Sequence, residues 1–366
     1  MAPTTMFLII LLHLWTIITS CTCSSASRAR LASPKFPAIL IFGDSTVDTG
    51  NNNYINTLFK GNHYPYGKDF PGHVPTGRFS NGKLVPDFVA SMLRIKDTIP
   101  PFLHPKLSDD DILTGVSFAS GGSGFDELTT VASGVIPVLK QAHYLKEYLV
   151  RLERIVGEKK AKKIVKEALV IVSAGTNDFC FNYYDIPTRK IQFNISEDQD
   201  FLQERLKTFV KELYDHGCRN IAISGLPPIG CLPIQITAKQ ESVEDRSCIE
   251  DENSDAKTYN LKLAGLLPKI QALLPGSKIV YADIYKPLMD MINRPRKYGF
   301  VETKRGCCGT GLVEAGPACN LLTPTCDEAA EYLFWDSIHP SQAACEYLAK
   351  YLEKELYTNN SEAYFM

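Results

Sequence analysis

The chain has 366 residues, of which 45% are hydrophobic and 22% are charged, and its formal net charge is −2. This composition is typical of a globular protein with a large core. The nearly neutral charge gives no electrostatic reason to expect a polyanionic partner, so nucleic-acid binding is not predicted.

The first 26 residues differ from the rest and predict a secretory signal peptide. An apolar run, Phe7 to Ile18, precedes the small and polar stretch Thr19 to Ala26. The run is too short to span a bilayer comfortably and matches the apolar region of a secretory signal. We expect cleavage between Cys21 and Ala26. No later apolar stretch approaches about eighteen residues, so no stable membrane insertion of the mature chain is expected.

A buried strand that ends in a serine is the first chemical signal. Ala38 to Phe42 is an apolar run that stops at Gly43, which predicts a strand followed by a tight turn. The next residues, Asp44 and Ser45, place a hydroxyl at the carboxyl end of the strand, where open α/β sheets bind ligands. An ordinary polar turn is the alternative interpretation.

A long region rich in Asn, Gly, Pro and aromatic residues follows, from Val47 to Lys83. Such a connection inside a compact domain is typical of a lid or binding loop, although a variable surface excursion is also possible. The aromatic residues between Tyr54 and Phe79 are candidates to line an acyl or aryl groove, or to pack the loop itself.

Strand and helix signals alternate through the rest of the chain. Further strands are predicted at Thr114–Ala119, Ala168–Ser173, Asn220–Ser224 and Lys278–Ala282. Helices are predicted at Leu84–Leu93, Val138–Ile155, from a Ser196 cap to a Gly217 stop, Tyr259–Leu274 and Pro340–Tyr357. This alternation favours a doubly wound parallel sheet in a single domain, residues 34–357. The basic run Lys159–Lys166 is flanked by glutamates and is interpreted as a solvated helix face.

Nine cysteines remain after the signal segment, and six of them lie late in the chain. These six are Cys248, Cys307, Cys308, Cys319, Cys326 and Cys345. In an oxidising compartment they predict disulfides that fix the late loops, with at least one thiol left over. A zinc site is the less favoured alternative, because the paired C-x2-C spacing is missing. If the chain is secreted, Asn194 and Asn359 are candidate glycosylation sites.

A nucleophilic serine needs a base, a group that orients the base, and donors for an oxyanion. His339 is the best candidate base, since Asp336 lies three residues earlier and Pro340 places the imidazole in a turn before the last helix. Asp336 could accept from one ring nitrogen while the other faces Ser45.

Donors for an oxyanion are also expected at the ends of strands. The backbone N–H groups of Gly121 or Gly122 and of Ser45, and the side-chain amide of Asn177, all follow predicted strands. Parallel topology brings such positions to one edge of the sheet.

Taken together, these segments resemble the GDSL esterase/lipase family, the SGNH hydrolases, and in particular its secreted plant branch. The matching motifs are Phe42-Gly-Asp-Ser-Thr-Val-Asp-Thr-Gly-Asn-Asn-Asn53, Gly77-Arg-Phe-Ser-Asn-Gly-Lys83, Gly115-Val-Ser-Phe-Ala-Ser-Gly-Gly122, Gly175-Thr-Asn-Asp178, Gly225-Leu-Pro-Pro-Ile-Gly-Cys231, Cys308-Gly-Thr-Gly311 and Trp335-Asp-Ser-Ile-His-Pro340. They follow the family's order over about Phe36 to Tyr357. Two departures are Thr46, where the family name has Leu, and Ser117, where the branch often has Asn.

The resemblance implies a three-layer α/β/α, flavodoxin-like fold and hydrolysis of carboxylic esters with no metal and no cofactor. It assigns Ser45 as nucleophile, His339 as base and Asp336 as its partner. The implied oxyanion donors are Ser45, Gly122 and Asn177, although the adjacent Gly121 leaves the glycine ambiguous.

The resulting hypothesis is a secreted serine esterase or lipase, located in the apoplast or cell wall, that acts on a small-molecule or lipid ester through an acyl-enzyme. An acyltransferase that uses the same acyl-enzyme is one alternative. A catalytically silent cell-wall binding protein is another. An α/β-hydrolase is not favoured, because the chain has no Gly-x-Ser-x-Gly elbow.

Overall fold

The computed structural model describes residues 35–131, 133–239 and 246–358. The predicted signal segment, residues 1–26, and the predicted glycosylation site Asn359 lie outside these residues.

Four parallel strands form the main sheet. They are β1 (Ile39–Gly43), β2 (Leu169–Ser173), β3 (Asn220–Ser224) and β4 (Lys278–Ala282), and they lie side by side in chain order. Each is a short, mostly apolar run, and the last residues are Gly43, Ser173, Ser224 and Ala282, all small, which is why the sequence identified all four.

The predicted strand at Thr114–Ala119 exists only as a short extension of the sheet beside β1. Ser117 forms an isolated parallel bridge with Ile41. The Ile41 N–H donates to Val116 O (3.1 Å) and the Phe118 N–H donates to Ile41 O (2.7 Å). With this segment counted as second in the chain, the order is 2-1-3-4-5, the flavodoxin-like doubly wound order.

Helices cover both faces of the sheet. Their bounds are α1 (Val85–Met92), α2 (Asp109–Thr114), α3 (Leu128–Val131), α4 (Val138–Val156), α5 (Glu158–Glu167), α6 (Ile195–Asp215), α7 (Pro233–Lys239), α8 (Glu250–Leu273), α9 (Tyr285–Asn293) and α10 (Gln342–Thr358), with a π-helix at Asp178–Asp185. Apolar side chains of α4, α6 and α8 pack on one face of the sheet. Those of α1 and α10 pack on the other face. The predicted three-layer α/β/α fold is therefore confirmed.

The start of α6 differs from the prediction. Asn194, not Ser196, is the N-cap, and its Oδ1 accepts from the N–H groups of Ser196 (3.0 Å) and Glu197 (3.1 Å). The Glu197 carboxylate in turn accepts from the Asn194 N–H (2.9 Å), which completes a capping box. Ser196 was a wrong choice because either side chain can cap a helix, and only the backbone path selects between them. The prediction for α8 was also too short, since that helix begins at Glu250 rather than Tyr259.

The long region from Val47 to Lys83 is anchored by a buried ion pair. The Arg78 guanidinium donates to both oxygens of Asp87 in α1 (2.7 and 2.8 Å), and both side chains are almost fully buried. Asp87 also accepts from the N–H groups of Ile99 (2.9 Å) and Leu84 (3.0 Å). These contacts fix the end of the loop to the first helix, so this part does not behave as a free lid.

Disulfides fix the late loops, as predicted, but the six cysteines that form them are not the same six that the sequence suggested. The pairs are Cys231–Cys248, Cys307–Cys326 and Cys308–Cys319. Cys345, which the sequence analysis grouped with the paired residues, is a buried free thiol, as are Cys180 and Cys218. Cys345 lies on α10, away from the late loops, while the fold brings Cys231 to Cys248. Within the described ranges no group of three or more ligand side chains is placed to hold a metal ion.

A small second sheet supports these loops. It pairs β5 (Glu302–Gly306) with β6 (Tyr332–Phe334) in parallel. The Cys307 N–H donates to Phe334 O (3.1 Å) and the Cys308 N–H donates to Trp335 O (2.8 Å). The disulfide-bonded loop is thus attached directly to the segment that precedes Asp336. Of the residues described, none belongs to a helix long and apolar enough to cross a membrane.

Removing the Cys308–Cys319 disulfide should destabilise this support. In the Cys308→Ala/Cys319→Ala variant we expect a loss of about 2–4 kcal/mol in the free energy of unfolding, because the reduced unfolded chain gains conformational freedom. Urea unfolding measures this loss. Cys345→Ala, which removes only a buried free thiol, is the control and should lose about 1 kcal/mol. Equal midpoints for the double variant and the unmodified protein would contradict the prediction.

Candidate active site

Ser45 lies at the carboxyl end of β1, where Gly43 permits the turn. Gly43 has φ +140°, and a Cβ there would lie 1.8 Å from Ser173 O, so no other residue fits without moving β2. The Asp44 N–H donates to the same Ser173 O (3.0 Å), which continues the β1–β2 ladder up to the serine. The sharp turn leaves Ser45 about 6% exposed at the sheet edge.

Asp336 and His339 lie in one tight turn between β6 and α10. Asp336 Oδ1 accepts from the backbone N–H groups of Ile338 (2.8 Å) and His339 (2.7 Å). The Trp335 N–H donates to His339 O (2.8 Å) and closes the turn. This local geometry sets the imidazole beside the carboxylate, as the three-residue spacing predicted.

The imidazole connects the carboxylate to the serine hydroxyl. His339 Nδ1 lies 2.7 Å from Asp336 Oδ2 and 2.9 Å from Oδ1, and His339 Nε2 lies 2.8 Å from Ser45 Oγ. A carboxylate only accepts hydrogen bonds, so Nδ1 carries the proton. Nε2 is then free to accept from the Ser45 hydroxyl. The structure thus brings together the three residues that the sequence selected as candidates for catalysis.

Tyr66 is a further partner of Asp336 that the sequence analysis missed. Its hydroxyl donates to Asp336 Oδ2 (2.7 Å) and accepts from the Gly316 N–H (2.7 Å). Burial, reinforced by the Asp336 carboxylate, raises the pKa of the Tyr66 phenol well above its ordinary value, so the group stays a donor. Tyr66 and Asp336 are 270 residues apart, and no local pattern links them.

Phe79 supports the other side of the imidazole. The two rings are stacked, with centroids 5.0 Å apart, and Phe79 also meets Tyr66 edge to face at 5.9 Å. Gly121 makes room for this ring, because a Cβ at residue 121 would lie 2.3 Å from Phe79. Tyr66 and Phe79 are buried, so this part of the long loop forms a wall behind the His–Asp pair.

The two adjacent glycines differ in their hydrogen bonding. The Gly121 N–H is already used, since it donates to Asp48 Oδ2 (2.9 Å). Within the described part of the chain, the N–H groups of Gly122 and Ser45 donate to no protein acceptor. Of the two glycines, only Gly122 therefore keeps a free backbone donor.

Asn177 is hydrogen-bonded to the turn that contains Gly121 and Gly122. Asn177 lies just after β2, and its Nδ2 donates to Ser123 O (2.9 Å). The Ser123 hydroxyl donates to Gly43 O (2.8 Å), which ties the turn to the strand that carries Ser45. Among the residues that the structure describes, only one of the two amide hydrogens has an acceptor. The amide can therefore offer its second hydrogen to a ligand.

Two buried carboxyl groups in the same motifs hold loops in place. Asp48 also accepts from the N–H groups of Gly50 and Asn51 (both 2.7 Å). Asp178 accepts from the N–H groups of Phe125 (2.9 Å) and Asp126 (3.1 Å). Burial raises the pKa of Asp48 to about 6 and that of Asp178 to about 7. Since their oxygens face backbone donors, these groups are structural.

A cavity of about 350 Å³ opens beside the serine, and Ser45, Asn177 and His339 line one end of it. Most of its other walls are apolar side chains from the sheet, α1 and α10. Gly122 lies in the adjoining turn and does not line the cavity. This volume is in the range of small-molecule binding sites.

Comparison with known proteins identifies the family. Residues 39–352 match the model of the GDSL-like Lipase/Acylhydrolase family. The chain is 54% identical over 343 residues to the Arabidopsis thaliana protein GDSL esterase/lipase At2g30310, covering 93% of this chain and 94% of that protein. It is 56% identical over 309 residues to GDSL esterase/lipase At1g06990 from the same plant, covering 84% and 86%.

Among solved structures, a gut microbial diltiazem-metabolizing enzyme matches with 12% identity and a TM-score of 0.37. That match covers 88% of this chain and 47% of the other. The family model spans the chain from the strand that leads to Ser45 to the helix after His339, and the two Arabidopsis relatives align with 93% and 84% of the chain. The chain therefore belongs to the GDSL-like lipase/acylhydrolase family of ester hydrolases.

Proposed function

We propose that this protein hydrolyses carboxylic esters through an acyl-enzyme formed on Ser45. The observation that supports this most strongly is the continuous hydrogen-bonded chain from Ser45 Oγ through the His339 ring to Asp336. A serine hydroxyl is a weak nucleophile unless a neighbouring base removes its proton during attack. His339 is the base in this proposal, and Asp336 stabilises the imidazolium that forms.

The reaction has two half-steps. Ser45 Oγ attacks the ester carbonyl carbon while its proton passes to His339 Nε2, giving a tetrahedral oxyanion. The C–O bond to the alcohol then breaks, and His339 returns the proton to the leaving alkoxide. Water next attacks the acyl-enzyme, again losing its proton to His339, and the carboxylic acid leaves as Ser45 recovers its hydrogen.

The oxyanion would be stabilised by the N–H groups of Ser45 and Gly122 and by the Asn177 amide. Support comes from their hydrogen bonding, since among the described residues the first two N–H groups have no protein acceptor and the amide has one hydrogen to spare. Such pre-oriented donors stabilise charge that develops in the transition state. Gly121 is the poorer choice because Asp48 already accepts its N–H.

We also propose that the chain is secreted as one hydrolase domain, residues 34–357, after removal of the signal segment. The disulfides support an oxidising destination, since such bonds persist outside the cytosol. Asn194 lies exposed at the start of α6, where a glycan would meet solvent. By this proposal the protein acts in the extracellular space, in the apoplast or cell wall.

Ser45→Ala should abolish ester hydrolysis while leaving the fold intact. We expect the unmodified protein to be labelled at Ser45 by a serine-reactive phosphonate, and the variant to show neither labelling nor turnover of p-nitrophenyl esters. Peptide mass spectrometry identifies the labelled residue, and circular dichroism checks folding. Activity in the variant comparable to that of the unmodified enzyme would refute Ser45 as the nucleophile.

Asn177→Ala should lower kcat by about 10²–10³-fold with little change in KM, because the lost donor acts mainly in the transition state. Steady-state kinetics with a p-nitrophenyl ester measures both constants. Because the amide also holds the Ser123 turn, the melting temperature is recorded as well. A well-folded variant with normal kcat would remove Asn177 from the oxyanion site.

Tyr66→Phe should lower kcat by about tenfold to a hundredfold, since it removes one hydrogen bond to the charged Asp336 and leaves the ring in place. Tyr64→Phe, which removes the same hydroxyl from an exposed tyrosine of the same loop that donates to His73 O, is the control and should retain kcat. Kinetics across pH 5–9 shows whether the loss persists at every pH. Unchanged kcat in a stable Tyr66→Phe protein would mean that the hydroxyl does not help to position the Asp–His pair.

A further inference from the structure

The two faces of the main sheet are filled to different degrees. On the face that packs against α4, α6 and α8, Val170, Val172 and Ile223 are at most 1% exposed. On the opposite face Ile171 and Ala222, in two interior strands, remain partly exposed. Interior strands of a doubly wound sheet normally have helices packed tightly on both faces. Part of this second face is therefore left open to the cavity.

The residues of this open face that line the cavity include several small side chains, Ala222, Ser224 and Ala282. Ile171, Ala222 and Val280 are partners in register across β2, β3 and β4. In the next row toward the carboxyl edge, Ser224 pairs with Ala282. All five line the cavity. Alanine and serine leave a channel above the strands where leucine or isoleucine would fill it.

Helices α1 and α10 form the opposite wall. Cys345, Leu348 and Leu352 lie on one face of α10 at helical spacing and line the cavity together with Val85 and Val89 of α1. We call the space between these walls the acyl slot, bounded by Leu169, Ile171, Ala222, Val280, Leu348 and Leu352.

The acyl slot begins at the reacting group. Ser45, Asn177 and His339 line the same cavity, and Ser173, at the carboxyl end of β2, lies beside them. From Ser173 to Leu169 the strand descends about 13 Å at about 3.3 Å per residue. The charged residues that line the cavity, Asp44, Asp283, Lys286 and Glu355, follow β1 and β4 or lie on α9 and α10. An apolar chain attached to a carbonyl at Ser45 could therefore run along β2 and β3 without meeting a charged group on these two strands.

We propose that the acyl slot binds the hydrocarbon chain of the substrate's acyl group, and that it accommodates about ten carbons. An extended alkyl chain advances about 1.3 Å per carbon, because C–C bonds of about 1.5 Å zigzag at the tetrahedral angle, so 13 Å corresponds to about ten. This inference rests on the proposed function, since it requires the ester carbonyl to be at Ser45. The alcohol part of the ester remains outside the slot, toward solvent.

Two ester series show whether the slot binds the acyl chain, as proposed, or the alcohol part of the ester. In ethyl alkanoates, with acyl chains of 2 to 14 carbons, kcat/KM should rise about two- to fourfold per added carbon, as each methylene leaves water. The rise should end near ten carbons. In alkyl acetates, with alcohols of the same lengths, kcat/KM should stay nearly flat. A flat alkanoate series, or a rise confined to the acetates, would overturn the proposal.

A filled slot should select against long acyl chains. Ala222→Leu places a larger side chain in the middle of the slot, and the ratio of kcat/KM for the ten-carbon to the two-carbon ester should fall at least tenfold. Ala264→Leu makes the same change on the exposed face of α8 and should leave the ratio unchanged. If Ala222→Leu does not fold, Leu352→Trp, at a partly exposed position, provides the same test. An unchanged ratio in a folded slot variant would overturn the proposal.

Alkyl phosphonates of increasing chain length distinguish this inference from the proposed function itself. Labelling of Ser45 should become faster with chain length up to about ten carbons, in parallel with the alkanoate series. Labelling at one rate for every chain length would overturn the acyl slot and leave the nucleophile in place. No labelling at any length would remove the proposed nucleophile, and the acyl slot with it.

Discussion

The buried carboxylate of Asp336 is the group on which the geometry of the site depends. A charge without water must be surrounded by donors, or its burial costs several kcal/mol. Asp336 is fully buried, and its oxygens accept from two backbone N–H groups of its own turn, from the His339 ring and from the Tyr66 hydroxyl. The same charge therefore orients the imidazole toward Ser45 and fixes the long loop behind it.

The packing near Ser45 is tight on one side and open on the other, and both features follow from the sizes of the side chains. Behind the imidazole the packing is tight, since Gly121 is needed to admit the Phe79 ring that stacks on His339. Below the serine, alanine and serine side chains leave the sheet surface open under α1 and α10. Tight packing around the candidate residues Ser45 and His339, beside an apolar channel, would suit an enzyme that holds an ester carbonyl still while it binds a hydrocarbon chain.

Much of the fold could be predicted because its signals are local. The four strands of the main sheet are short, mostly apolar runs that end at small residues, and α4 carries an apolar stripe of clear helical period. Predictions failed where local signals were equivalent, as with Asn194 and Ser196 at the start of α6, two side chains that can both cap a helix. They also failed where the tertiary fold decides which residues meet. Cys231 pairs with Cys248, and no spacing of cysteines in the sequence indicates this pair.

By itself, the sequence determined the family, the α/β architecture and the candidate residues Ser45, Asp336 and His339, because each lies in a short motif whose turn or strand end is specified locally. Only the tertiary structure decided that Tyr66 donates to Asp336, that Gly122 rather than Gly121 keeps a free N–H, and that a channel lies beneath the serine. These features arise from contacts between segments far apart in the chain. Such contacts depend on how whole elements pack, and no local pattern of residues records them.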